Sequence, residues 1–245
     1  MARQPTAKRG PGRPRRERPE DIPEPPAVVP GPPRAPVPLP PTFPGLKTVD
    51  VEIRGITPML QHRFTEAAEN ARATRPRHQA PEDPRVAAEK RCYRWTDNTL
   101  YHPSSAISRL LREAGNAHKQ RSSRRTVKYI VPAACIMPDE ILILRDGEGR
   151  VLENFEVDSR PVVIPATKGR IMCHRPRHNN WSVRFAIEID ETILEESFVH
   201  QLMVEGGSQL GIGDFRVEKG GSFGRFRVTS WQPRKDNGNG AAAAA

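Results

Sequence analysis

Residues 181–205, WSVRFAIEIDETILEESFVHQLMVE, hold two successive hydrophobic periods, and the change from one to the other decides the reading of the fold. Trp181, Val183, Phe185, Ile187 and Ile189 alternate with Ser182, Arg184, Glu188 and Asp190. A period of two with one apolar face is that of a half-buried strand. From residue 191 the pattern changes: Ile193, Leu194, Phe198, Leu202 and Met203 fall on one face of a helix whose first turn is acidic, as the helix dipole favours. Residues 206–227, GGSQLGIGDFRVEKGGSFGRFR, follow with seven glycines, and the chain then extends as a strand over 225–231.

Upstream, the same two periods recur. Val49, Val51 and Ile53 alternate with Asp50, Glu52 and Arg54 in a strand that ends at Gly55. Ser104 precedes Ala106, Ile107, Leu110, Leu111 and Ala114, an apolar helical stripe stopping at Gly115. The apolar run over 129–144 reads as a strand interrupted at 138–140, and 93–95 pairs with 100–101 across an Asp97-Asn98 turn. A basic pair of extended pieces over 160–177, RPVVIPATKGRIMCHRPR, projects as a hairpin. Stripped of insertions, the order is β-α-β-β-α-β. The fold class is therefore α+β: a ferredoxin-like, RRM-like core with large insertions and a glycine-rich loop before its last strand.

The flanks have another character. Residues 1–46 contain 15 of the 26 prolines and no usable period, which predicts a disordered Pro/Arg-rich arm; 47–234 form one nucleic-acid-binding domain, and 235–245 a disordered tail. Within the arm, residues 8–18 read KRGPGRPRRER and place Lys8, Arg9, Arg13, Arg15, Arg16 and Arg18 against an anionic partner. Gly12-Arg13-Pro14 resembles the core of an AT-hook, which implies minor-groove contact with duplex DNA, although Pro11 stands where that pattern has a basic residue. An arm acting only through charge is the alternative. Residues 65–90 read as an inserted loop with short helices, carrying Arg72, Arg75 and Arg77.

The formal charge is +10, with 39 Lys and Arg against 29 Asp and Glu. That balance favours nucleic acid over a membrane surface. The chain has neither the apolar run of a membrane span nor that of a secretory signal, so a cytoplasmic protein with no membrane partner is expected. Cys92, Cys135 and Cys173 are widely spaced, which supplies no disulfide framework and no paired metal knuckle. His174 and His178 would suit a metal only on a helix, and Pro176 indicates a loop; no metal or cofactor is expected.

Candidate nucleic-acid contacts come in four groups. Residues 118–128, HKQRSSRRTVK, contribute Lys119, Arg121, Arg124, Arg125 and Lys128 with no acid among them, more charge than the dipole of the preceding helix requires. The hairpin contributes Lys168, Arg170, Arg175 and Arg177. His62 and Arg63 leave the first strand together, either toward a phosphate or base, or with His62 capping the next segment. In the glycine-rich loop, Gly211, Gly213, Gly220, Gly221 and Gly224 let bare backbone approach a phosphate chain beside Arg216, Lys219 and Arg225; the alternative is a hairpin that only connects two elements.

A glycine-rich loop just before the last strand of such a fold resembles the signature loop of the repeat-associated RNA-binding proteins of CRISPR systems, especially the backbone subunits that coat guide RNA. The glycines carried over are Gly211, Gly213, Gly220, Gly221 and Gly224. The resemblance implies single-stranded RNA, or else single-stranded DNA, as partner. It also implies copies packed side by side as a homo-oligomer or within a larger nucleoprotein complex. The expected function is noncatalytic single-strand binding. The alternatives are an assembly subunit, phage-encoded among other sources, that contacts DNA through its arm, and a metal-independent endoribonuclease using His62, His102 or His118.

Overall fold

The computed structural model describes residues 45–64, 82–121, 123–163 and 168–234. The arm, with its AT-hook-like motif, the segment carrying Arg72, Arg75 and Arg77, and the alanine-rich tail lie outside the described residues. In chain order the elements are β1 (Leu46–Gly55), β2 (Met59–Leu60), α1 (Pro84–Glu89), β3 (Tyr101–Pro103), α2 (Ser105–Ala114), α3 (Val131–Ala134), β4 (Cys135–Ile136), β5 (Ile141–Ile143), β6 (Glu156–Val163), β7 (Arg170–His178), β8 (Ser182–Asp190), α4 (Glu196–Gln209) and β9 (Phe226–Pro233).

The central sheet has the order β4-β8-β1-β9, with every neighbouring pair antiparallel. With α2 between β1 and β4 and α4 between β8 and β9, this is the ferredoxin-like arrangement of two split β-α-β units. Val49, Val51 and Ile53 of β1 lie opposite Ile187, Phe185 and Val183 of β8, all buried. They meet Ile107, Leu110 and Leu111 of α2 and Val199, Leu202 and Met203 of α4 in one core. The alternate residues, Asp50, Glu52, Arg184 and Glu188 among them, form the sheet's outer face. Trp181 is fully buried, with its indole Nε1 donating to Thr57 O at 2.9 Å.

Two smaller sheets carry the insertions: β2-β7-β6, and the pair β3-β5. The 160–177 hairpin is as expected, with Val163 opposite Arg170 and Glu156 opposite Arg177. Three readings are corrected. The run over 129–144 is not one strand: a 3-10 turn (Val127–Tyr129), α3, β4 and β5 share it, because Pro132 sits in the first turn of α3 where a missing N–H costs nothing. Pro176 belongs to a strand, β7, rather than a loop. Finally, α4 runs on through Gly206 and Gly207, because both are packing positions: a Cβ on Gly206 would meet Leu110 Cδ2 at 2.5 Å, and one on Gly207 would meet the Phe226 ring at 2.6 Å.

Candidate nucleic-acid interface

The loop between α4 and β9 is clamped onto β2. Asp214 N donates to Leu60 O at 2.8 Å, Gly224 N to Pro58 O at 2.8 Å and Ile212 N to Gly224 O at 2.9 Å. The crossing demands glycine at Gly224, whose φ is +72° and where an added Cβ would collide with the Ile212 carbonyl. The amides of Gly211, Gly220, Gly221 and Gly224 all donate to backbone carbonyls of the protein itself, those of Gly206, Val217, Arg216 and Pro58. Four of the five glycine amides expected to approach phosphate are thus engaged inside the protein.

The loop's side chains form a charged network with the hairpin. Asp214 Oδ2 stands 3.2 Å from His62 Nδ1 and 2.7 Å from Arg175 Nε, the latter an ion pair by distance without hydrogen-bond alignment. Burial pushes the Asp214 carboxyl up, but the His62 hydrogen bond and the Arg175 charge outweigh it, and the net shift is downward. Arg216 is held by Glu218 at 2.7 Å and donates to Gly213 O at 3.1 Å; Glu218 also pairs with Arg109 at 3.3 Å and lies 3.7 Å from Lys219. Arg160 stacks over the Phe223 ring at 4.6 Å, and Arg175 lies 6.0 Å from that of Phe215. Arg225 Nε donates to Ser208 O at 2.8 Å, and Arg177 Nε to Asn179 Oδ1 at 2.7 Å. Arg175, Arg177, Arg216 and Arg225 therefore serve internal contacts.

Beside this network lies a cleft of about 340 Å³, lined by His62, His102, Arg109, Gly213, Asp214 and Arg216 among others. The structure thus brings His62, two loop glycines and Arg216 to one place, and adds His102 from β3. His102 is 5% exposed with its Nδ1 unbonded, and burial, then the Arg216 charge, pushes its imidazole down to about 4. His118 does not line the cleft; it bonds Glu205 at 2.6 Å. Arg109 escaped the sequence reading because it occupies the polar side of a helix chosen for its apolar stripe.

The other cations are differently placed. Residues 119–121 and 123–126 are tied together by a Lys119–Thr126 bridge and by Gln120 N donating to Arg125 O at 2.9 Å. Lys119, Arg121, Arg124 and Arg125 are exposed on them and pair with no carboxylate among the described residues, whereas Lys128 is held by Glu113 at 3.0 Å. Tyr129 beside them is 71% exposed. Arg63, Lys168 and Arg170 are likewise exposed. The outer face of the central sheet carries no aromatic side chain among the described residues; there Arg184 pairs with Glu52 at 2.9 Å and Arg234 with Asp50 at 2.6 Å, while Arg227, opposite Arg54, is exposed. A base-stacking sheet surface of the usual RRM kind is therefore missing. Among the described residues no helix is long and apolar enough to cross a membrane.

No family model matches the sequence, and no curated protein does. Solved structures do align with it, among them the following two. One is a chain of the type III-B Cmr-beta complex bound to cognate target RNA, at 14% identity and a TM-score of 0.42, covering 78% of this chain and 61% of that one. The other is Cmr6 from Pyrococcus furiosus, at 10% identity and a TM-score of 0.38, covering 77% of this chain and 100% of that one. The likeness to both is distant and is one of fold.

Proposed function

We propose that this protein binds single-stranded nucleic acid, RNA in the first place, without cleaving it. The observation that carries the reading is the bridged pair of segments 119–121 and 123–126, which displays Lys119, Arg121, Arg124 and Arg125 to solvent with no counter-charge among the described residues. Exposed, unpaired cations on braced segments are what a phosphate chain requires: contact releases counterions, and little internal bonding has to be broken first. Tyr129 offers a ring on which one base stacks. The test is fluorescence anisotropy with a short single-stranded RNA, the matching DNA and a duplex, at two salt concentrations. The variant K119A/R121A/R124A/R125A is expected to lose at least tenfold in affinity and most of the salt dependence; an unchanged curve rejects these segments as the interface.

Cleavage is a second reading with one observation behind it: Asp214 holds the Nδ1 side of His62 at 3.2 Å, and His102 lines the same cleft. A histidine oriented by a carboxylate can accept a proton from a ribose hydroxyl. Labelled RNA that stays intact through prolonged metal-free incubation dismisses it.

A further inference from the structure

Aromatic rings gather on the hairpin over 93–101. Arg94 bridges to Leu100 and Tyr101 N donates to Tyr93 O at 3.1 Å. Tyr93 and Trp95 consequently flank Tyr101, both edge-on, with ring centroids 5.6 and 6.0 Å from its own. Trp95 is 51% exposed and lies outside the hydrophobic core, so its ring leaves apolar surface in water for a partner to cover. A cation stands beside these rings. Arg63 N donates to Arg91 O at 2.8 Å, which lays residues 62–64 along 91–93 and brings up Phe64, itself 64% exposed. Burial pushes the Tyr93 hydroxyl up and the Arg63 charge works against that push, which places the guanidinium near the ring. Arg63 is exposed and pairs with no carboxylate among the described residues.

The hairpin opens onto the cleft. Tyr93 and His62 line it, and the Tyr93 ring meets that of His102 at 5.7 Å, two residues before Ser104 at the start of α2. Ser105, Arg109 and Glu113, four apart and therefore on one face of α2, line the cleft along that helix, a length of about 15 Å. At the far end Glu113 holds Lys128, whose 3-10 turn adjoins the basic segments and Tyr129. The carboxylates along the way, Asp214, Glu218 and Glu113, are each engaged by a cation of the protein.

We propose that the 93–101 hairpin is a second contact for the strand that the basic segments hold. Trp95 and Tyr93 stack its bases, Arg63 takes a phosphate, and the strand passes through the cleft along α2 to Lys119 and Arg121. Ring faces beside an unpaired arginine suit a single strand, because every base has a π-face and every linkage a charge. A protein is the poorer occupant, since the rings continue into a cleft whose other end displays only cations. The inference rests on the binding reading above, and its test separates the two.

Tryptophan emission of the full chain reports the site: Trp181 is fully buried, and Trp231 is half-buried with its indole Nε1 donating to Glu196 at 2.7 Å. Titration with a single-stranded oligoadenylate should quench that emission, and an abasic strand of equal length, which carries the phosphates without the bases, should not. W95A should weaken affinity for the oligoadenylate about tenfold. It should leave the slope of log affinity against log salt as in the parent, whereas R63A should reduce that slope by about 1. W95F, which keeps a ring, should lose the quench and recover most of the affinity. Parental affinity in W95A overturns the proposal, leaves the basic segments standing and returns the rings to a protein partner. Quenching by the abasic strand, or quenching that persists in W95F, equally overturns it. A parent that binds no strand by anisotropy overturns the binding reading itself, and this inference with it.

Discussion

Gly213 crosses β2 so closely that a Cβ built on it stands 2.5 Å from the carbonyl oxygen of Leu60, at a φ of +83°. Neither partner of that contact can yield, since both are backbone. Gly213→Ala should therefore cost about 2 kcal/mol or more, combining left-handed strain with a steric clash. Gly220→Ala is the control: its φ is +75° but nothing lies within 4 Å, so strain of about 1 kcal/mol is expected alone. Thermal melts of the two variants check the order. Equal losses would show that the loop is not clamped to β2.

Asp214 links the loop to the hairpin, and its lowered carboxyl pKa gives the link a pH signature. A carboxylate whose folded pKa lies below its unfolded value near 4 contributes stability that is complete above that value and lost as pH falls through the folded one. Asp214→Asn should flatten stability in that acid window. At neutral pH it should cost about 2 kcal/mol, because Arg175, 7% exposed, loses its counter-charge, while the 31% exposure of Asp214 keeps the loss below that of a fully buried pair. Denaturant unfolding at pH 7 and at pH 3 measures both effects.

His178 is 2% exposed with neither ring nitrogen bonded, and burial, then His102 and Arg94, pushes its imidazole down to about 3. Between that value and the unfolded value near 6.5 the unfolded chain binds a proton that the folded protein refuses. Stability therefore falls as pH drops through this window, by about 1.4 kcal/mol per pH unit per histidine. His178→Leu should remove its share of that slope while leaving stability at pH 8 nearly unchanged, since an unbonded buried imidazole gains little from its polarity. A slope identical to that of the parent would mean that His178 takes up its proton as readily in the folded protein as in the unfolded chain.

What the sequence made legible follows from where the information is local. The strand over 182–190 and the helix over 105–114 each repeat their own period long enough to be read, and together with β1 they determine the core. The run over 129–144 has apolar residues without a period, and its division among a turn, a helix and two short strands depends on which sheet each piece reaches. The two glycines within α4 looked like a loop because their reason is tertiary: Leu110 and Phe226 need the space. The site divides in the same way. Arg175 and Arg216 looked available for phosphate because Asp214 and Glu218 hold them only in the folded state. The 118–128 stretch contains no acid of its own, so its excess charge was visible directly, and only the engagement of Lys128 by Glu113 needed the fold.

That last distinction supplies the sharpest prediction, because cations seven or fewer positions apart should respond oppositely. Lys128 lies 3.0 Å from Glu113, and the two join the Val127–Tyr129 turn to α2. Lys128→Ala should lower the melting temperature slightly, by the few tenths to 1 kcal/mol of a partly exposed pair, and change RNA affinity little. Arg121, Arg124 and Arg125 have no such partner among the described residues, so each alanine variant should melt like the parent. Each should also weaken binding and reduce the slope of log affinity against log salt by about 1, the signature of one lost phosphate contact. A salt titration of the four single variants beside their melts decides the matter. If Lys128→Ala shows the largest loss of slope, the Glu113 pair opens on binding and the interface extends down to α2. If none of the four changes the slope, the strand lies elsewhere and the exposed cations Arg63, Lys168 and Arg170 become the positions to vary.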